Sequence, residues 1–139
     1  MKKLKFLAVS IGLIYIWFGM LKFFPGLSSA EDLASNTIEK LTFGLITPKV
    51  GTVLLAILEV LIGAGLIFQF KMNWVVPFAL GHMLFTFTPL FFFPDLSFTH
   101  APYGFTIVGQ YIMKNIVIIM ALIMLIPAKE SKLPKSINA

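Results

Sequence analysis

Four long apolar stretches dominate the order of hydrophobic and polar residues along the chain. They cover approximately residues 4–24, 50–70, 74–93 and 106–126, and only short polar segments separate them. Each is close to the roughly 20 residues that a helix needs to cross a hydrocarbon layer about 30 Å thick. The pattern therefore predicts an all-α fold, a four-helix transmembrane bundle. Because the links are short, we expect up-down-up-down order in a single domain over residues 1–139.

The segment between the first two spans predicts an additional short helix. Pro25 and Gly26 end the first span, and Ser28 with Glu31 three residues later has the spacing of a capping box. Apolar residues recur on one side as far as about Leu41. Since the segment is too polar to cross a membrane, residues 29–42 are expected to form an interfacial helix.

The composition agrees with lipid as the main solvent of the chain. Apolar residues make up 58% and charged residues 12% of the 139, too few polar groups to coat a soluble globule of this size. An alternative interpretation makes the N-terminal stretch a signal peptide with a cleavage site near Ala30. We favour a retained first helix, because the apolar run exceeds a usual signal core and holds Lys22 near its far end.

The net charge of +5 comes from lysine alone, and its distribution predicts an orientation. Most lysines fall at one end of the predicted bundle: Lys2, Lys3, Lys5, Lys71, Lys129, Lys132 and Lys135. Most carboxylates outside the spans fall at the other end. The positive-inside rule then places both termini in the cytoplasm and the protein in the inner membrane. Lysines beside spans are typical of membrane topology and of contact with membrane lipid, and we find no nucleic-acid-binding motif.

Each predicted span carries polar groups that hydrocarbon excludes. These candidate cavity residues are Lys22, Glu59, His82, Gln110, Lys114 and Asn115. A charge within the bilayer costs several kcal/mol, so such groups normally face the interior of a bundle and pair with one another. We therefore expect them to converge on a polar cavity that opens toward the outer side.

Two chemical assignments remain open at this stage. Glu59 and Lys114 form either a structural ion pair or part of a ligand or proton site. His82 is suited to hydrogen-bonding a quinone carbonyl or to structural packing. With no second ligand at metal-binding spacing on its helix, we predict no metal site.

The chain contains no cysteine, which removes disulfides, thiolate nucleophiles and iron–sulfur ligands. Any redox role must therefore use a borrowed cofactor, such as a quinone, or a partner subunit. No catalytic residue is identifiable from the residue types alone.

Several segments resemble the DoxX-like family of small four-helix integral membrane proteins. They are Gly19 to Pro25 (GMLKFFP), Ala30 to Gly44 (AEDLASNTIEKLTFG), Glu59 with Ile62-Gly63, and Gly109 to Asn115 (GQYIMKN). The resemblance implies the four-helix fold over most of the chain. It also implies an association with quinone-linked oxidoreduction in some relatives and with membrane-protein assembly in others.

Three functions follow as hypotheses. The first is a redox-associated membrane subunit whose cavity binds a quinone or a small anion, acting with a partner redox subunit or as a homo-oligomer. If it takes part in catalysis, it is part of a quinone-linked oxidoreductase. The second is a non-catalytic scaffold or assembly factor in which the same groups lock the bundle. The third, a small proton-coupled transporter, is disfavoured by the lack of broken-helix or inverted-repeat signals.

Overall fold

The computed structural model describes residues 2–28 and 31–126. Four of its helical segments are long and apolar enough to cross a membrane: Lys2–Leu21, Pro48–Phe68, Met72–Phe92 and Ile107–Met124. This confirms the prediction of a mainly helical chain with four membrane-length helices. Residues 29 and 30 of the predicted interfacial segment, and Lys129, Lys132 and Lys135, lie outside the described residues.

The elements follow one another in a simple order. They are α1 (Lys2–Leu21), α2 (Glu31–Leu41), α3 (Pro48–Phe68), α4 (Met72–Phe85), α5 (Pro89–Phe92), α6 (Pro94–Ser97), β1 (Phe98–His100), β2 (Gly104–Phe105) and α7 (Ile107–Met124). Helix α1 packs chiefly against α3, α4 packs against α3 and α7, and α2 packs against α3 and α5.

The third span differs from the sequence prediction, which placed one helix over residues 74–93. Helix α4 ends at Phe85, and a turn precedes the short α5. The hydroxyl of Thr86 donates to the carbonyl of Met83 at 2.6 Å, and that of Thr88 to Phe85 at 2.7 Å. Such bonds compete with regular helix bonding, and Pro89 has no N–H to offer, so the helix is interrupted here.

A small hairpin that the sequence analysis did not predict precedes α7. Strands β1 and β2 are antiparallel, with Phe98 opposite Phe105 and His100 opposite Gly104. The Thr106 side chain then caps α7: it accepts from the N–H of Gly109 at 3.1 Å and donates to the carbonyl of Leu96 at 2.7 Å. The cap fixes where α7 begins relative to α6.

The hydrophobic core lies toward one end of the bundle. It joins residues of the first part of α1, the second part of α3, the first part of α4 and the end of α7. Its members are Ala8, Ile11, Tyr15, Ile62, Leu66, Val76, Ala79, Met83, Leu122 and Leu125. We call this the packed end, and we call the end that carries Lys22 and α2 the open end.

Candidate functional site

The carboxylate of Glu59 lies at the centre of a polar cluster between α1, α3 and α4. Glu59 comes near the middle of α3 and is buried. Its Oε2 accepts a hydrogen bond from Lys22 Nζ at 2.7 Å, and its Oε1 lies 3.4 Å from His82 Nε2. A buried carboxylate needs such partners, because desolvation without them is costly.

Lys22 reaches this cluster from just beyond the last residue of α1. Its ammonium also donates to the carbonyl of Phe18 at 3.4 Å, within the last turn of that helix. A cation at a helix C-terminus is stabilised by the free carbonyl groups there. The end of α1 therefore positions the charge that neutralises Glu59.

Tyr15 and His82 extend the cluster toward the packed end. The Tyr15 hydroxyl lies 3.1 Å from both the Ala79 carbonyl oxygen and His82 Nδ1. The two rings lie 5.5 Å apart, centroid to centroid. Both ring nitrogens of His82 therefore face a hydrogen-bonding or charged group, Tyr15 on one side and Glu59 on the other.

The surroundings of His82 offer hydrogen-bond partners to more than one form of its ring. When the ring is neutral with its proton on Nε2, that N–H faces Glu59 and the Tyr15 hydroxyl donates to Nδ1. When the ring gains a second proton, Nδ1–H donates to the Tyr15 oxygen, and the hydroxyl proton turns to the Ala79 carbonyl. In both forms Nδ1 keeps its hydrogen bond with the Tyr15 hydroxyl, and Nε2 stays next to Glu59.

The cluster forms the polar floor of a cavity of about 350 Å³. Tyr15, Lys22, Glu59 and His82 all line it, and the other walls are mainly apolar side chains of α1, α2, α4 and α7. Helix α2 closes one side with its apolar face. A mostly apolar cavity with a few convergent polar groups is typical of a small-molecule site.

Of the three candidate polar residues on α7, one lines the cavity and two do not. Asn115 lines the cavity, and its amide donates to the Thr86 hydroxyl at 2.9 Å. Gln110 and Lys114 lie on the exposed face of α7 and do not line the cavity. The Lys114 ammonium instead lies 5.3 Å from the centre of the Tyr111 ring.

An ion pair between Glu59 and Lys114 was one of the two alternatives from the sequence, but in the structure Glu59 pairs with Lys22. The structure brings together Lys22, Glu59 and His82, with Asn115 on a further wall of the same cavity. Among the described residues, no group of three or more His, Cys, Asp and Glu side chains is placed to hold a metal ion.

Two parts of the site were not among the sequence candidates. Tyr15 lies seven residues before Lys22, on the same helix face, so helical periodicity contained the signal that links it to the cluster. The α2 residues that line the cavity, such as Leu33, belong to the recurring apolar side from which the interfacial helix was predicted, but that pattern did not link them to a cavity. Their position depends on how α2 folds back over the bundle.

Comparison with known protein families, curated proteins and solved structures gives no match.

Proposed function

We propose that this protein is a redox-associated membrane subunit that binds the head group of a quinone in the cavity above Glu59. The observation that carries the proposal is the polar cluster of Lys22, Glu59 and His82 at the floor of an otherwise apolar cavity. A quinone ring offers two carbonyl acceptors on a flat apolar body. Lys22 has one ammonium proton beyond those donated to Glu59 and Phe18. The Nε2–H of His82 has only a long 3.4 Å contact with Glu59 and is open to a ligand acceptor, and the walls supply apolar contacts.

The charges in the cavity favour a quinone over a small anion. Glu59 is 2.7 Å from Lys22, so the one buried ammonium of the cluster is already neutralised. An anion that binds the Lys22 ammonium would also lie close to the Glu59 carboxylate. These two negative charges would repel each other. A neutral carbonyl has no such penalty and accepts a hydrogen bond from a remaining Lys22 proton.

The proton arrangement at His82 fits the same role. Reduction of a quinone to a quinol takes up two electrons and two protons, and His82 lines the cavity with Nε2 next to Glu59 and Nδ1 held by the Tyr15 hydroxyl. The electrons are supplied by a partner redox subunit, since the chain has no cysteine and hence no thiol redox centre of its own. The chain acts in a quinone-linked oxidoreductase together with this partner.

The proposal includes a placement in the inner membrane with up-down-up-down spans. Lys2, Lys3, Lys5 and Lys71 mark the cytoplasmic end, which coincides with the packed end. The open end then faces outward, and α2 lies at the outer membrane surface with exposed polar side chains that include Asp32.

We further propose that the chain is a DoxX-like protein. The support is the similarity of the segments GMLKFFP and GQYIMKN, of which the first contains Lys22 and the second contains Asn115. Both segments contribute to the cavity described above.

Quinone binding is tested with the purified protein in lipid nanodiscs, by titration with a short-chain ubiquinone analogue and by identifying bound quinones with native mass spectrometry. We expect His82→Gln to weaken binding by about tenfold or more, the loss expected when a buried hydrogen bond is removed. His100→Gln is the matched control, because His100 is exposed in β1, away from the cavity. Equal binding by the two variants, or no quinone in the wild-type protein, would refute the proposal.

A scaffold function is the second candidate, and the Lys22–Glu59 bond between α1 and α3 favours it. On this hypothesis the ion pair only fixes how the two helices pack. Glu59→Gln would then lower thermal stability while leaving the activity of the parent complex unchanged.

A further inference from the structure

The cavity is open along the seam between α1 and α7. Six side chains that line it are also exposed. Two of them are Leu41 on α2 and Phe85 on α4, and the other four flank this seam: Ile14 and Phe18 on α1, and Ile107 and Tyr111 on α7. All four are apolar or aromatic. A wall residue that is also exposed marks a place where the cavity reaches the surface.

The packing of α1 on α3 shows which side of α1 carries Ile14 and Phe18. Gly12 and Gly19 lie directly against α3, as the short distances from them to Gly63 and Glu59 show. Ile14 and Phe18 lie on the other side of α1, away from α3. They therefore form one edge of the seam.

The packing of α7 shows which of its residues form the opposite edge of the seam. Asn115 bonds to Thr86, so this side of α7 faces α4. Gly109 lies directly against Ser97 of α6. Ile107 and Tyr111 are two residues before and after Gly109, about 200° around the helix, so they lie on the side of α7 turned away from α6. At the packed end the seam is closed, because Leu122 and Leu125 of the α7 end join the same core as the first part of α1.

We propose that this seam is a lateral entrance from the bilayer, and that the hydrocarbon tail of the bound ligand lies in it. The inference rests on the proposed function and names the class of ligand more closely, as an amphiphile with a polar ring and a long apolar tail. The cavity volume of about 350 Å³ is near the lower limit of small-molecule sites, which span about 300–1,000 Å³. A cavity of this volume holds the ring of the ligand, so a long hydrocarbon tail must extend out of the cavity through the seam.

Helix α2 supports entry from lipid rather than from water, because it is held over the open end by both of its ends. The Glu31 carboxylate accepts from the N–H of Gly26 at 2.9 Å. Lys40 Nζ donates to the Phe92 carbonyl at 3.2 Å and lies 4.6 Å from the centre of the Phe93 ring. Helix α2 is thus held across the open end, while the edges of the seam carry apolar or aromatic side chains.

The first test narrows the seam with Ile14→Trp. Binding of two quinones with the same ring, one without a tail and one with an isoprenoid tail, is measured in nanodiscs. We expect the variant to bind the tailed quinone about tenfold more weakly, the loss when about two buried methylene groups lose their contacts. Binding of the tail-free quinone should change less than twofold. Leu13→Trp is the matched control: Leu13 is 57% exposed, against 42% for Ile14, and does not line the cavity.

A second test uses the absence of native cysteine. Ile107→Cys and Val117→Cys are labelled with a lipid-soluble maleimide. Both positions are similarly exposed, at 74% and 71%, but only Ile107 lines the cavity. We expect the tailed quinone to slow labelling at position 107 severalfold, with no change at position 117 and no protection by the tail-free quinone.

The possible failures are distinguishable. If the wild-type protein binds neither quinone, the proposed function is wrong and the inference with it. If both quinones bind, but Ile14→Trp affects them equally or not at all and the tail gives no protection at position 107, only the lateral entrance is refuted.

Discussion

Glu59 and Lys22 join α3 to the end of α1 through one short ion pair inside the bundle. His82 Nε2 lies near the other oxygen of the carboxylate, and the hydroxyl of Tyr15 lies at hydrogen-bonding distance from Nδ1 of the same ring. No buried polar side-chain atom lacks a hydrogen-bond partner in the part of the chain that the structure describes. Removing one member therefore leaves a buried polar group without its partner, which is costly.

Glu59→Gln is expected to lower the free energy of unfolding by about 3 kcal/mol, because it leaves the Lys22 ammonium without a counter-charge. The double variant Lys22→Met/Glu59→Gln should recover part of this loss, since neither charge then remains. Denaturation in lipid–detergent micelles measures both. Glu39→Gln is the control, because Glu39 is exposed on α2.

A loss in Glu59→Gln no greater than in the control would show that the ion pair contributes nothing to stability. A double variant less stable than Glu59→Gln would show that Lys22 has other important contacts.

At the scale of elements, the close packing of α1 on α3 positions the two ends of this ion pair. A Cβ atom on Gly12 would lie 2.7 Å from the Gly63 carbonyl oxygen, and one on Gly63 would lie 2.7 Å from the Gly12 carbonyl oxygen. Only residues without a side chain allow the backbones to approach this closely, as in other membrane bundles. The contact places Lys22 within reach of Glu59.

We predict that Gly12→Ala separates the two helices and lowers the free energy of unfolding by about 1–3 kcal/mol, the usual cost of overpacking. Gly81→Ala is the control: Gly81 is in α4, and a Cβ atom there meets nothing within 4 Å. It should leave stability unchanged or raise it by up to about 1 kcal/mol, because alanine favours helix. Similar losses in both variants would argue against a specific contact at Gly12.

At the scale of the whole molecule, the two ends of the bundle differ in packing and in charge. The packed end contains the core, and the flanking lysines of α1 and Lys71 belong to the same end. The open end contains the cavity, α2 and the hairpin. The proposed orientation puts the cavity in the outer half of the membrane.

This orientation predicts the labelling of two single-cysteine variants in intact cells. Tyr103→Cys, in the hairpin, should react with a membrane-impermeant maleimide. Asn73→Cys, next to Lys71, should react only after the cells are opened. Both side chains are exposed, so accessibility from each side of the membrane decides the outcome. The reverse pattern would place the open end in the cytoplasm.

The residues of α7 show why the sequence alone does not place its polar groups. Successive residues on a helix are about 100° apart, so Lys114 and Asn115 cannot both face the centre. Apolar residues surround α7 on every side, and no single apolar stripe indicates which face is buried. The structure turns the half-buried Asn115 toward the cavity, where its amide bonds to Thr86, and leaves Lys114 exposed. Burying a second ammonium without another carboxylate would be more costly.

The sequence by itself determined the number and position of the membrane-length helices, because about 20 consecutive apolar residues are a local property of the chain. It also indicated the polar residues that hydrocarbon excludes. Only the tertiary structure decided that Lys22 is the partner of Glu59, that Tyr15 supports His82, and that α2 covers the cavity. These contacts depend on the rotation of each helix about its axis, which packing between distant segments fixes.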